Sequence, residues 1–399
     1  MDPLTRAIID MCILLFSAKL IGVIFKKLGL PENIGFIFAG LLLGPSLFGS
    51  IRIGDFSLVE LNDYIRVFAK LGAILLLFLV GLNISLIELK TNRTVFVILG
   101  FLGALSPLIL GVIFYRILEK NLISTIIVSS AIATSSLPIV SKLSKSILTS
   151  SRVKIASNIT IVDNIIGVLI LSTILPFLEI GKYITLQNAV LLILKTLVFS
   201  LALLIITIFL VPIIIKRIGA WGIYFGKQGG MIEVLITAMC FFYAALAYAV
   251  GLSPITGAII CGIAVAGSHI LVRVKDYVEK ISFLFAPIFF VIIGANIKFS
   301  SLSFSLIIIG VLLLSIILFS GNVIGSLIPA FFTFHNWRDA WVISLTRFSL
   351  GNVGLVIAGI GFNNLAISSN VYLQIVILAI ISFILNPFLI KQTQLKRIH

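Results

Sequence analysis

Apolar runs of about 20 residues recur along the whole chain, separated by short stretches that carry charge, proline or glycine. Helices of this length cross the hydrocarbon core of a bilayer. Because lipid cannot satisfy exposed backbone groups, and the runs do not alternate as the strands of an outer-membrane barrel do, we expect helices. The pattern predicts an all-α, polytopic membrane protein with about 13 transmembrane helices. The predicted spans lie near residues 5–26, 33–48, 67–87, 94–117, 122–146, 153–178, 185–215, 230–250, 253–270, 281–298, 303–331, 337–361 and 369–390.

The 399 residues are 60% hydrophobic and only 11% charged, which is typical of a chain surrounded by the lipid bilayer. The formal net charge of +15 would suit a nucleic-acid-binding protein, but the basic residues are scattered through short loops, so we expect no nucleic-acid partner. The orientation of the protein in the membrane explains these basic residues better. With the N-terminus outside, the inside loops carry about twice as many basic residues as the outside loops. We therefore expect a multi-pass protein of the cell membrane with a cytoplasmic C-terminus.

The short loops leave no room for an ATP-binding domain, so an ATP-driven pump is not expected. The three cysteines and three histidines show no metal-ligand spacing and no catalytic arrangement. They are Cys12, Cys240, Cys261, His269, His335 and His399. We therefore expect neither an enzyme nor a cofactor, and no metal beyond a transported cation.

Two pairs of apolar segments resemble each other in the same order along the chain. Residues 34–46 resemble 256–268, and residues 76–85 resemble 289–298. The matched positions are Gly35 with Gly257, Gly40 with Gly262, Gly81 with Gly294 and Asn83 with Asn296. Because the matched segments are seven predicted spans apart, an odd number, they cross in opposite directions, as in the inverted repeats of secondary transporters. We expect a single transmembrane domain over 1–399, with repeat one at about 5–178, a linker helix at about 185–215 and repeat two at about 230–390. Chance likeness between glycine-containing helices is the alternative.

Two predicted spans in corresponding positions of the repeat contain residues that interrupt helices. The fifth span carries Thr134, Ser135, Ser136 and Pro138, and the twelfth carries Arg347, Ser349, Gly351, Asn352 and Gly354. Proline lacks the N–H that a helix uses, and hydroxyl groups can replace backbone partners or bind an ion. Small residues also serve close helix packing, which is the alternative explanation. Interruptions in matching positions favour two broken helices at a binding site.

Asp163 is the one acidic residue of fourteen near the middle of a predicted span, whereas Asp10 and Glu233 lie near span starts and could reach the membrane interface. An ionised carboxylate in hydrocarbon costs at least roughly 2.5 kcal/mol, so such a residue is usually functional. A proton and a metal cation compete for the same carboxylate oxygens, which suits exchange of one for the other. The alternative is a structural partner for Arg347, Lys195 or a helix terminus.

Seven segments, taken together, carry a family resemblance. They are LPENIGFIFAGLLLGPSLFG at 30–49, LLLFLVGLNISLIELK at 75–90, ATSSLPIVSKLSK at 133–145, TIVDNIIG at 160–167, GLSPITGAIICGIAVAG at 251–267, FAPIFFVIIGANIKF at 285–299 and LGNVGLVIAGIG at 350–361. The chain resembles the monovalent cation:proton antiporter superfamily, especially the branch with bacterial sodium/proton antiporters and potassium-efflux antiporters. The resemblance implies a homodimer, and a six-helix core in which two broken helices cross beside the ion site.

The resemblance also suggests roles for single residues. The branch usually has two acidic residues, or a polar residue followed by aspartate, before a glycine. Aligned on Gly167, Asp163 takes the first position and Asn164 the second, where the family's ion-carrying aspartate normally lies, so the order is reversed here. In the twelfth span the family often has RGE, whereas this chain has LGN at 350–352. Arg347, one turn earlier, is then expected to supply the positive charge.

The leading hypothesis is a secondary transporter, a single antiporter domain that exchanges Na+ for H+ across the cell membrane, one for one and without net charge movement. Asp163 is predicted to bind the proton and the cation in turn. Asn164, Thr134 and Ser135 are the predicted oxygen ligands or neighbours, and Arg347 balances charge. Supporting positions in the broken helices are Pro138, Gly351 and Asn352. The alternatives are transport of K+, with Li+ as a further cation, and a channel or sensor without proton coupling.

Overall fold

The computed structural model describes residues 2–50, 52–53, 56–57, 59–83, 93–136, 150–180, isolated positions between 191 and 213, 230–268 and 270–395. Nearly all regular structure in these ranges is helical. The exception is a short antiparallel pairing of β1 (Arg52–Ile53) with β2 (Phe56–Ser57). The structure thus confirms the predicted all-helical class.

The helices follow the predicted apolar runs, and the described positions between 191 and 213 are also helical. Their bounds are α1 (Pro3–Lys27), α2 (Glu32–Leu43), α3 (Asp63–Leu82), α4 (Arg93–Phe114), α5 (Leu122–Ile132), α6 (Ser150–Ile180), α7 (Met231–Ala249), α8 (Pro254–Ala266), α9 (Leu271–Ala295), α10 (Phe304–Asn322), α11 (Ile328–Phe334), α12 (Trp337–Thr346), α13 (Asn352–Asn363) and α14 (Ser369–Leu395). A π-helical turn, Val323–Leu327, joins α10 to α11. Eight helical stretches in the described part of the chain are long and apolar enough to cross a membrane. The total of 13 stays a prediction.

One boundary differs clearly from the expectation. The tenth span was predicted to begin near residue 281, but α9 already begins at Leu271. Its first turns carry Arg273, Lys275, Asp276 and Glu279, which the hydropathy pattern assigned to a loop. Charged residues favour helix as well as apolar ones do, provided that their ends reach water. The helix therefore extends beyond the apolar run.

The chain divides into two compact units. The first comprises residues 1–69, 91–171 and 287–399, and the second comprises residues 70–90 and 172–286. The second unit has its own buried core, which includes Phe78, Cys240, Tyr243 and Cys261. All the predicted site residues that the structure describes belong to the first unit. A single antiporter domain stays a prediction.

Glycines allow two helices of the first unit to approach closely. A carbon atom built as Cβ on Gly40 of α2 would overlap the carbonyl oxygen of Val291 in α9. In the reverse direction, a Cβ on Gly294 of α9 would overlap the carbonyl oxygen of Ile37 in α2. Only residues without a side chain fit such backbone contacts. The α2–α9 contact therefore depends on both glycines.

The second unit contains a matching contact between α3 and α8. A Cβ on Gly262 of α8 would meet the carbonyl oxygen of Phe78, and a Cβ on Gly81 of α3 would meet, at 2.5 Å, that of Ile259. In both units, the Cβ built on each glycine meets the carbonyl oxygen of the residue three positions before the glycine of the neighbouring helix. The four glycines are the ones matched in the sequence repeat. This correspondence supports the inverted repeat, which stays a prediction.

Both spans with interrupting residues lose helical structure. The helix α5 ends at Ile132, and residues 134–136 are non-helical. Pro138 lies outside the described residues. In the twelfth span α12 ends at Thr346 and α13 begins at Asn352, so the predicted interruption is present. Thr134 and Thr346 occupy equivalent places, because each hydroxyl donates to the carbonyl three residues earlier at 2.7 Å.

Candidate ion-binding site

Asp163 lies in α6 and is fully buried. The hydroxyl of Ser135 donates a hydrogen bond to its Oδ2 atom at 2.7 Å. The Nη2 atom of Arg347 donates to Oδ1 and forms an ion pair with the carboxylate. Ser135 directly follows Thr134, and Arg347 directly follows Thr346. Each interrupted helix therefore supplies one donor to one oxygen of the same carboxylate.

The two interruptions meet at this carboxylate. The backbone N–H of Ser136 donates to the carbonyl oxygen of Ser349 at 3.0 Å. A Cβ built on Gly351 would lie 2.8 Å from the carbonyl carbon of Ser135, and one on Gly354 would lie 2.6 Å from the hydroxyl oxygen of Thr134. The glycines of the twelfth span thus let its backbone pass directly against the end of α5.

Arg347 is held from a third side by α4. Its Nη1 atom donates to the carbonyl oxygen of Leu99 at 2.7 Å, while Nε has no hydrogen-bond partner among the described residues. The guanidinium lies against Gly103, where any side chain would overlap it. Neither residue of α4 was predicted from the sequence. A main-chain acceptor leaves no mark in the sequence, but a glycine one turn further along α4 was a detectable signal.

The remaining predicted residues divide into those near the carboxylate and those away from it. Asn164 is buried, and its Oδ1 atom has no partner among the described residues. Thr134 lies at the meeting of the two interruptions, where its methyl group would be 2.6 Å from a Cβ on Gly167. Asn352 instead begins α13 with an exposed side chain. Lys195 belongs to the second unit.

Two acidic residues near the starts of predicted spans, Asp10 and Glu233, are buried in the protein. Asp10 accepts from Nε of Arg6 at 3.0 Å and is fully enclosed. Glu233, 6% exposed, pairs with Nη2 of Arg273 at 2.8 Å. In both cases a nearby arginine neutralises the carboxylate, so it need not reach water. Both carboxylates therefore have arginine partners that account for their burial.

The arrangement around Asp163 offers oxygen atoms suited to a hard monovalent cation. Carboxylate, hydroxyl and amide oxygens are the donors that such ions prefer. Besides Asn164, the hydroxyl of Ser349 is buried and has no partner among the described residues. Arg347 occupies one oxygen of the carboxylate, so any ion or proton that bound there would compete with it. The site therefore combines a positive side chain that is already bound with oxygens that could hold a cation in its place.

The sequence model described as "Sodium/hydrogen exchanger, transmembrane" matches residues 13–395. The chain belongs to the sodium/hydrogen exchanger family. This is a family of membrane transporters, which agrees with the apolar helices of the described chain. The resemblance drawn from the seven segments is confirmed, and the protein is a multi-pass membrane protein.

Known antiporters are similar to this protein over nearly the full length of its chain. A protein named Na+/H+ antiporter from Enterococcus hirae is 28% identical over 385 residues, 96% of each sequence. The Na+/H+-K+ antiporter GerN from Bacillus cereus is 26% identical over 390 residues, 96% of this chain and 95% of its own. The structure of the sodium proton antiporter MjNhaP1 from Methanocaldococcus jannaschii aligns with a TM-score of 0.72 at 18% identity, covering 98% of this chain and 99% of its own. This structural likeness confirms the fold.

Proposed function

We propose that this protein exchanges Na+ for H+ across the cell membrane and that Asp163 binds the cation and the proton in turn. The supporting observation is the place of Asp163, which is fully buried where two interrupted helices meet. Helix interruptions expose backbone groups that a continuous helix would use internally, so they are suited to bind ions in the membrane. Family membership and the names of the similar antiporters agree with this chemistry.

Arg347 acts as an internal counter-charge in this mechanism. While neither ion is bound, its guanidinium neutralises Asp163, so no bare carboxylate remains in a dry interior. A proton or Na+ that reaches the carboxylate neutralises it instead and releases Nη2. The bond from Nη1 to Leu99 keeps the guanidinium in place during this step. Arg347 therefore stabilises the site while neither ion is bound, and a proton or Na+ must displace its guanidinium in order to bind.

The oxygens around Asp163 form the proposed cation site. Ser135 already touches the carboxylate, and Asn164 offers a buried amide oxygen without a partner among the described residues. Thr134 lies beside them at the end of α5. Because Na+ and H+ carry the same charge and compete for one carboxylate, exchange is one for one and electroneutral. No separate cofactor or enzymatic step takes part in this mechanism.

Potassium is the second candidate cation. The name of the Bacillus cereus relative includes both Na+ and K+, and the same kinds of oxygen bind either ion. Li+ is a further candidate for the same reason. A channel or sensor without proton coupling is the alternative from another class. We further propose an inverted repeat, a homodimer, an outside N-terminus and a cytoplasmic C-terminus, all supported by sequence pattern or family resemblance.

The test is an exchange assay with the purified full chain in proteoliposomes that contain a pH-sensitive dye. Addition of Na+, K+ or Li+ should dequench the dye in wild type, and the three responses rank the cations. Asp163→Asn should remove the response, whereas Asp276→Asn, which neutralises an exposed carboxylate at the start of α9, should preserve it. A wild type that responds to none of the three cations would contradict exchange. An unchanged response in Asp163→Asn would exclude Asp163 as the carrier.

A further inference from the structure

A second polar feature of the first unit lies away from Asp163. It is a cavity of about 690 Å³, and we call it the polar pocket. Its lining includes Arg66, Glu119, Ser124, Lys298 and Asn363. The helices α5 and α14 begin at this pocket, and α9 and α13 end at it. Nothing in the exchange mechanism uses the lining residues.

The side chains give the polar pocket a positive charge. Three helices begin here, since α3 also starts at Asp63 with Arg66 in its first turn, and two end here, so the helix dipoles do not oppose the charge of the side chains. Neither Arg66 nor Lys298 has an ion-pair partner among the residues that the structure describes. The carboxylate of Glu119 is partly engaged, because its Oε1 atom accepts the N–H of Asn121 at 3.2 Å. One positive charge is therefore in excess.

A buried hydroxyl group points to a ligand. Ser124, in the first turn of α5, is 2% exposed, and its Oγ atom has no hydrogen-bond partner in the described chain although it lines the pocket. The N–H groups of a first helical turn also lack intrahelical partners. Asn121 caps only one of them, the N–H of Ile123, at 3.0 Å. Buried donors of this kind are costly to leave unpaired, so an acceptor is expected beside them.

We propose that the polar pocket binds a phosphate group, either from an acidic lipid headgroup or from a soluble organic phosphate. Arg66 presents a planar fork that matches phosphate oxygens, Lys298 adds a point charge, and Ser124 with the start of α5 supplies neutral donors. The volume is in the range of small-molecule sites, which is large enough for a phosphate with its glycerol group.

The position of the polar pocket connects it to the ion site. The helix α5 begins at the pocket and ends beside Thr134, and α13 begins beside Gly351 and ends at the pocket. Each helix is about 17 Å long, from 11 and 12 residues at 1.5 Å per residue. A ligand that contacts both outer ends links two helices whose inner ends meet at Asp163. We expect the bound phosphate group to change the exchange rate, and this second effect rests on the proposed function.

Binding is tested on the purified full chain in detergent by thermal unfolding. The probes are phosphatidylglycerol, sn-glycerol 3-phosphate and, as a reference without net charge, phosphatidylcholine. We expect the phosphatidylglycerol or the glycerol phosphate to raise the unfolding temperature of wild type. The variant Arg66→Gln with Lys298→Gln should bind at least about tenfold more weakly, and Ser124→Ala severalfold more weakly. Lys120→Gln, which removes an exposed charge next to the pocket lining, is the matched control and should behave as wild type.

The outcomes separate the two sources and the two proposals. A shift with phosphatidylglycerol alone identifies a lipid, and a shift with glycerol phosphate identifies a soluble ligand. Equal shifts in wild type and the double variant, or none in wild type with either probe, would overturn the pocket proposal. A double variant that differs from wild type only in its response to Na+ would also overturn the pocket proposal, because the pocket would then be a cation entrance. Asp163→Asn should keep the phosphate response, so failure of exchange leaves the binding result interpretable.

Discussion

The first unit contains two buried pairs of aspartate and arginine that differ in how the chain brings them together. Asp10 and Arg6 are four residues apart on α1, with 3.0 Å between Oδ2 and Nε. Asp163 and Arg347 are 184 residues apart and join α6 to the interruption after α12. Both carboxylates are fully buried, and the Asp10 carboxylate even has an oxygen without a hydrogen-bond partner among the described residues.

The comparison shows that burial of a carboxylate does not by itself indicate an ion site. One continuous helix holds the α1 pair, so no helix crossing is needed to form it. The second pair exists only because two interrupted helices bring Ser135 and Arg347 to Asp163. An ion that displaces Arg347 also finds other oxygens at the interruptions. Asp10 lies within α1, which is continuous from Pro3 to Lys27.

The largest expected difference is in exchange activity. Asp163→Asn should reduce cation-dependent dye dequenching to the level of empty liposomes, because the only proposed carrier of both ions is lost. Asp10→Asn should keep the activity within about twofold, since it lies outside the interrupted helices and Arg6 keeps a second carboxylate, that of Glu60, at 4.0 Å. Loss of activity in both variants, with both proteins folded by thermal unfolding, would show that the two pairs act together.

The next difference is in stability. Arg347→Gln leaves Asp163 buried without its counter-charge and should cost roughly 3–5 kcal/mol. The double variant Arg347→Gln with Asp163→Asn should recover most of this loss, because no buried charge then remains. Arg6→Gln should cost less, since its side chain is 10% exposed and closer to water. Equal losses of stability in the two arginine variants, measured by thermal unfolding, would contradict the expected difference between the two pairs.

A smaller effect is expected at the α4 surface behind Arg347. Gly103→Ala places a methyl group against the guanidinium and should cost about 1–3 kcal/mol in stability. In the Arg347→Gln background the shorter side chain leaves room, so the same change should cost clearly less. Thermal unfolding of the four proteins gives the coupling directly. If the stability losses from Gly103→Ala and Arg347→Gln simply add, the methyl group acts elsewhere on α4 and not against the guanidinium.

The smallest effect is expected for the apparent affinity for Na+. Ser135→Ala removes a hydroxyl that touches the Asp163 carboxylate and should raise the half-saturating Na+ concentration by about tenfold. Ser130→Ala is a matched control near the end of the same helix, because that hydroxyl donates to the carbonyl of Ile126 at 2.7 Å. Its half-saturating concentration should stay within about twofold of wild type. A larger change in the control than in Ser135→Ala would remove Ser135 from the cation site.

The sequence predicted the fold class and the residues that meet at Asp163, but not how they are held. An apolar run, a carboxylate within it and a glycine-rich interruption are all visible as residue types. Arg347 was predicted to balance charge at the site, and its direct pairing with Asp163 was the alternative structural explanation. The acceptor on Leu99 is a main-chain atom, which the residue types along the chain do not reveal. Such features depend on which helices become neighbours, and a single sequence does not specify that.

The ends of α5 and α12 have a further electrostatic consequence. Both helices terminate beside Asp163, at Ile132 and Thr346, so both direct the negative ends of their dipoles toward it. The start of α13 directs one positive end toward the same place, so among the described helices the negative ends prevail by one and favour one positive charge, whichever group carries it. An incoming Na+ needs little reorientation of the surrounding dipoles when it takes the place of a guanidinium nitrogen. The preorganised field lowers the barrier to replacement and makes a site without any cation the least stable state of the cycle.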